Sequence, residues 1–226
     1  MKAKFSPSLM CMDFLKLQEQ AEKLNLLCDA YHVDIMDGHF VPNITLSPDF
    51  VSAFSRVAAQ PLDCHLMVTD PNLYLEPLKK AGAALISPHA EVIENYAFRF
   101  IEKVKSMKMK VGITLNPATS LERISAYLNR LDKVTVMTVD AGFAGQTFVR
   151  ESLSKIETLR NWKEQYGFHF EIEVDGGCNE NTFRDLYLAG AEVFVVGSSG
   201  LFSLDENVEI AFQKMLKIFD MATENL

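Results

Sequence analysis

Residues 31–38 read Tyr31-His32-Val33-Asp34-Ile35-Met36-Asp37-Gly38. The segment is short, rich in apolar and β-branched residues, and closes on an Asp-Gly turn signal, which is the pattern of a buried strand. Side chains alternate along a strand, so His32, Asp34 and Met36 share one face while Val33 and Ile35 take the other. A histidine and an aspartate turned into a protein interior are costly unless they are paired or bound to something. Residues 62–67 repeat the arrangement, with Asp63, His65 and Met67 on one face and Leu62, Cys64 and Leu66 opposite.

Working outward, strand-like segments recur at 5–9, 31–36, 61–67, 83–87, 110–115, 134–139, 170–175 and 192–197. Helical periodicity fills the stretches 13–27, 71–80, 97–107, 150–162, 179–188 and 205–218, and more weakly 48–57 and 121–131. Glycines in Ala81-Gly82-Ala83 and Ala189-Gly190-Ala191 stand where a left-handed C-cap belongs. Asn179 and Thr119-Ser120 stand at N-cap positions, and Pro71 suits a first helical turn. No Gly-, Ser- or Pro-rich linker breaks the alternation, so residues 1–226 are expected to form a single domain.

Strict strand-helix alternation implies a parallel sheet, either open and doubly wound or closed into a barrel. Eight units match a compact (β/α)8 barrel. No G-x-G-x-x-G turn of the dinucleotide type follows the first strand. The expected fold is therefore an α/β protein of the (β/α)8 TIM-barrel class, with polar residues at the C-terminal strand ends forming the site.

The 226 residues carry 22 basic and 30 acidic side chains, a net charge of -8, which gives no electrostatic footprint for nucleic acid or an anionic membrane. No stretch approaches a membrane span or a signal-peptide core, so a cytoplasmic protein is expected. Cys11, Cys28, Cys64 and Cys178 form no C-x-x-C and read as ordinary thiols. The sequon at Asn43 reads as chance, and Asp37 before Gly38 as a turn residue.

Convergence singles out the chemistry. His32 and Asp34, His65, and Asp175 in Glu173-Val174-Asp175 fall on strands two, three and seven. Two imidazoles and two carboxylates form a site for one divalent ion of the Zn, Mn, Co, Fe or Mg kind. Strands two and seven lie nearly opposite in an eight-strand ring. Asp34 and Asp175 would therefore face each other, taking a proton from one face of a carbon and returning one to the other. Gly142-Phe143-Ala144-Gly145-Gln146, Gly176-Gly177 and Gly197-Ser198-Ser199-Gly200 follow strands six, seven and eight, where backbone N–H groups can converge on a phosphate.

These residues resemble a known family from end to end. The likeness runs through Pro7-Ser8-Leu9, the stretch from His32 to Asn43, His65-Leu66-Met67, Leu115-Asn116-Pro117, Gly142 to Gln146, and Val174-Asp175-Gly176-Gly177. The family is that of the ribulose-phosphate 3-epimerases, and the resemblance implies an isomerase acting on a phosphorylated ketose. Residues 8–13, 63–68, 137–140 and 197–202 most resemble its D-allulose-6-phosphate 3-epimerase branch. That implies interconversion of D-allulose 6-phosphate and D-fructose 6-phosphate, with D-ribulose 5-phosphate as the alternative substrate.

The resemblance further implies His32, Asp34, His65 and Asp175 as metal ligands, with Asp34 and Asp175 as the catalytic acid/base pair. It implies Ser8 and His65 at the sugar, and Met36, Met67 and Met137 around the reacting carbon. Gly142, Phe143, Ala144, Gly145, Gly176, Gly177, Gly197 and Ser198 would hold the phosphate. A homo-oligomer, dimer or hexamer, is implied as well. Ala141, where the family usually has proline, is expected to loosen the phosphate loop slightly, and Pro88 to disturb the fourth strand before His89. Two other readings stand beside these: a metal-assisted lyase or aldolase on a related barrel, and a phosphate-binding barrel without catalysis. The second would be expected to have lost one of the four ligand residues, and all four are present.

Overall fold

The computed structural model describes residues 2–224. Strands β1 (Lys4–Pro7), β2 (Tyr31–Met36), β3 (Leu62–Met67), β4 (Leu85–Pro88), β5 (Lys110–Leu115), β6 (Lys133–Met137), β7 (Glu171–Asp175) and β8 (Val193–Val196) form one parallel sheet. Their order is β1-β8-β7-β6-β5-β4-β3-β2, and a parallel bridge between Ser8 and His32 brings β1 back onto β2. This is the expected (β/α)8 barrel.

Helices α1 (Leu17–Leu24), α2 (Pro48–Phe54), α3 (Asn72–Ala81), α4 (Ala90–Ile93), α5 (Ala97–Ser106), α6 (Ser152–Tyr166), α7 (Phe183–Ala189) and α8 (Val208–Thr223) form the outer layer. Outward-facing Val33, Ile35, Cys64 and Leu66 are buried with the helices' apolar faces in the main core. Burying a large apolar side chain of this kind contributes about 1.5–3 kcal/mol. Phe219 of α8 lies 5.0 Å from Phe5, 5.1 Å from Phe194 and 5.3 Å from Phe183, ring centre to ring centre. The last helix thereby fastens the first strand to the eighth. Among the described residues no helix is long and apolar enough to cross a membrane.

Several local expectations are corrected. The stretch 121–131 is not an α-helix but two 3₁₀ segments, Leu121–Arg123 and Ser125–Arg130. Leu121, Ile124 and Tyr127 are buried at every third residue, the period of the tighter helix, and Leu128 and Leu131 are buried beside them. The helix expected from Asp13 begins at Leu17, because the Asp13 carboxylate accepts Leu15 N–H and holds a turn there. Thr182, not Asn179, precedes α7, and Asn179 instead accepts Asn181 N–H in the turn before it. Gly82 and Gly190 cap α3 and α7 in the left-handed region as expected. Pro88 does not disturb its strand: it is the last residue of β4, in register with Leu66, and His89 continues with a bridge to Thr114.

Candidate active site

Register places the polar residues in layers inside the barrel. Along β2 and β3, His32 lies beside Asp63, Asp34 beside His65, and Met36 beside Met67. Along β6 and β7, Thr135 lies beside Glu173 and Met137 beside Asp175. A one-residue slip in any strand would turn these side chains outward.

Below the Met36–Met67 pair, His32 and Asp34 of β2, His65 of β3 and Asp175 of β7 draw four donor atoms together. His32 Nε2 stands 3.3 Å from His65 Nδ1, 3.3 Å from Asp34 Oδ1 and 3.4 Å from Asp175 Oδ2. His65 Nδ1 is 3.3 Å from Asp34 Oδ1 and 3.5 Å from Asp175 Oδ2. Donors at the ~2.0–2.1 Å bonds of a tetrahedral zinc site stand about 3.3–3.4 Å apart. The spacing and the two-nitrogen, two-oxygen donor set therefore fit a small divalent cation.

The electrostatics agree. Burial lowers the His32 pKa, but the Asp34 and Asp175 carboxylates outweigh it and raise it to about 10. Burial raises Asp175, yet the charge of His32 and the hydrogen bonds from both imidazoles bring it down to about 2. Asp34 is pushed well below the carboxylate range in the same way, against its own burial. Both carboxylates are thus anionic at neutral pH, as cation ligands and a proton acceptor require. Ser8 Oγ donates to Asp34 Oδ2 at 2.7 Å, so the oxygen not turned to the cluster is held by a hydroxyl.

His65 is backed by residues that sequence reasoning did not assign. Its Nε2 lies 2.9 Å from His89 Nε2, and His89 Nδ1 lies 3.4 Å from Glu91 Oε2. Burial lowers His89 to about 4, so this ring is neutral and has one donor and one acceptor nitrogen. When His65 Nδ1 turns a lone pair to a cation in the cluster, its proton sits on Nε2 and is donated to His89, whose Nδ1–H then points at Glu91. The pair His89 and Glu91, two residues apart after a strand, was the available signal.

Above the four donors a cavity opens at the C-terminal strand ends. Ser8, Asp34, Met36, Met67, Met137 and Asp175 line its floor and walls. Its rim comprises Gly142, Phe143, Ala144, Gly145, Gly176, Gly177, Gly197 and Ser198, while His32 and His65 lie fully buried beneath it. The structure thus brings together every residue singled out for the site. It adds Met10, Cys11, Val139, Cys178 and Val195 to the lining, and makes Cys11 a half-buried wall residue rather than an ordinary core thiol. Met36 and Met67 form a small apolar cluster with Val41, against which Ala141 packs.

Two glycines on this rim have no substitute. Gly176 has φ +113°, and a Cβ there would stand 2.6 Å from Val139 Cγ2. Gly142 has φ +116° and would meet Val41 at 2.9 Å. Asn43 Nδ2 donates to Gly142 O at 2.8 Å, tying the loop after β2 to the loop after β6.

Comparison with known proteins gives the same picture. The model of the "Ribulose-phosphate 3 epimerase family" matches residues 4–202. The chain is 40% identical to the chloroplastic ribulose-5-phosphate-3-epimerase of Arabidopsis thaliana, over 86% of this chain and 70% of that one. It is 39% identical to the ribulose-phosphate 3-epimerase of Bacillus subtilis, over 87% of this chain and 91% of that one. Among solved structures, the 3-hexulose-6-phosphate synthase from Salmonella typhimurium superposes with a TM-score of 0.68 at 15% identity. That match covers 97% of this chain and 99% of the other, and at such identity it speaks to fold alone.

Proposed function

The chain belongs to the ribulose-phosphate 3-epimerase family, and from that premise we propose that it inverts C3 of a five-carbon ketose phosphate, interconverting D-ribulose 5-phosphate and D-xylulose 5-phosphate. The observation that carries the reading is the convergence of His32, Asp34, His65 and Asp175, whose donor atoms all lie within 4.8 Å of one another under the cavity. The relatives described above are named for ribulose phosphate. They favour the five-carbon substrate over the six-carbon one expected from the sequence.

His32, Asp34, His65 and Asp175 would hold one divalent cation. Bound there, it supplies Lewis-acid stabilisation of the negative charge that develops on the sugar oxygens. Asp34, anionic and oriented by Ser8, takes the C3 proton, which is acidic because C3 adjoins the C2 carbonyl. The resulting enediolate lies under Met36, Met67 and Met137, whose thioethers exclude water and remain polarisable. Asp175, having taken up one proton from solvent as the substrate binds, gives it to the opposite face, so the centre is inverted and the proton removed from C3 stays on Asp34 until solvent takes it. The loops after β6, β7 and β8 hold the phosphate through backbone N–H groups.

The six-carbon reading keeps one observation in its favour. Residues 8–13, 63–68, 137–140 and 197–202, which resemble the allulose branch, supply the cavity residues Ser8, Met10, Cys11, Met67, Met137, Val139, Gly197, Ser198 and Ser199. The deciding experiment measures kcat/KM on D-ribulose 5-phosphate and D-allulose 6-phosphate side by side, with metal content determined. A preference for the five-carbon sugar is expected, and a clear preference for the six-carbon sugar overturns it. A homo-oligomer also belongs to this proposal, supported by apolar surface left at Leu15, Ile44 and Leu73, and sedimentation reads it directly.

A further inference from the structure

One layer beneath the four donors, the barrel holds three charged side chains that epimerisation does not use. Lys133 of β6, Asp63 of β3 and Glu173 of β7 are 2%, 5% and 1% exposed. Lys133 Nζ donates to Glu173 Oε1 at 2.6 Å and also to Asp63 Oδ2. Thr135 Oγ1 donates to the same Glu173 oxygen at 2.8 Å. Barrel interiors are ordinarily filled with branched apolar side chains, and a buried ion triad is a poor source of stability beside them. Packing alone does not call for these residues.

What they face does. His32 Nδ1, the ring nitrogen turned away from the donor cluster, is buried without a hydrogen-bond partner. It stands 3.8 Å from Glu173 Oε1 and 3.9 Å from Asp63 Oδ2. These gaps leave no room for a bridging water on the line between the atoms, and a shift of about 1 Å brings either into direct hydrogen-bond range. When His32 Nε2 offers its lone pair to a cation, the ring proton must sit on Nδ1, facing these two carboxylates. A carboxylate behind a ligating imidazole fixes the tautomer and makes the ligand nitrogen more basic.

We propose that Glu173 and Asp63 position His32 for cation binding through its Nδ1–H, with Lys133 as the clamp that holds both carboxylates in place and cancels one of their charges. The proposal rests on the reading that the four donors hold a divalent cation. It assigns Glu173, Asp63 and Lys133 as positioning residues, none of which touches substrate.

The test uses the full-length protein, with zinc affinity read by competition with a chromophoric chelator and cobalt(II) as the spectroscopic probe. Glu173→Gln and Asp63→Asn are each expected to weaken zinc binding by about 10–100-fold. Each should shift the cobalt visible bands, while Glu173→Asp, which keeps the charge, recovers part of the affinity. Nitrogen-15 NMR of the zinc-loaded wild type is expected to place the His32 proton on Nδ1, and this measurement stands even if a variant fails to fold. Zinc affinities close to wild type in both folded variants with unmoved cobalt bands overturn the proposal alone, as does a His32 proton found on Nε2. A wild type that takes up neither zinc nor cobalt overturns the four-donor reading itself.

Discussion

His65 Nε2 lies 2.9 Å from His89 Nε2, so the imidazole that turns Nδ1 toward Asp34 and Asp175 has its other nitrogen held by a second, fully buried ring. His89 is followed in turn by Glu91, whose pKa burial pushes up but the facing His89 ring and the Thr119 hydroxyl bring down to about 2. Removing the second ring frees the first to rotate and leaves its N–H without an acceptor. His89→Ala is therefore expected to weaken divalent-metal binding by about 10–100-fold, checked by chelator competition on folded protein. Unchanged affinity would show that packing alone orients His65.

Under the proposed reaction Asp34 and Asp175 work on opposite faces of one carbon, which makes their variants asymmetric. Asp34→Asn and Asp175→Asn should each lower kcat by at least about 10²–10⁴-fold. In deuterated water, each variant should retain C3 exchange from one epimer only, and the two variants from opposite epimers. Equal loss of exchange from both epimers at full metal content would assign the pair to ligation without proton transfer.

Gly176 tests the phosphate rim. Gly176→Ala places a side chain at φ +113° with a 2.6 Å contact to Val139. Strain and overpacking together should cost about 2–4 kcal/mol, with a raised KM for the phosphorylated substrate. Gly145→Ala, at φ +78° with no atom within 4 Å of the new Cβ, should cost only the strain of about 1–2 kcal/mol. Urea denaturation compares them, and equal losses would deny any role to the Val139 contact.

Asp37 predicts an acid limb of stability. Burial works to raise its pKa, but N–H groups of Thr69, Phe40 and His39 and the Thr69 hydroxyl bring it to about 2. A carboxyl depressed in the folded state binds fewer protons than in the unfolded chain, whose value is about 3.9. Its contribution is therefore complete above about pH 4 and is lost as pH falls toward 2. Asp37→Ala should lower stability at neutral pH by about 1–3 kcal/mol and flatten that part of the curve, read by urea titrations across pH. A variant with the same acid dependence as wild type would contradict the assignment.

Much of the barrel is legible because its signals are local. Strands β2 and β5 begin and end where alternation and turn residues put them, and Gly82 and Gly190 mark helix ends through a backbone conformation that glycine adopts without steric cost. The segment 121–131 misled because periods of 3.0 and 3.6 differ little over one or two turns.

By itself the sequence determined that eight strands alternate with helical crossovers, and that His32, Asp34, His65 and Asp175 share the inward faces of three strands. Period-two alternation dictates the face, and the barrel dictates where the faces meet. Only the tertiary structure decided that His89 and Glu91 back His65, that Ser8 binds Asp34, and that Lys133, Asp63 and Glu173 lie under His32. The partners His65 and His89 are 24 positions apart in the chain, Ser8 and Asp34 are 26 apart, and Asp63 and Lys133 are 70 apart. Such contacts depend on strand stagger and side-chain length, quantities set by ring closure rather than by any local pattern.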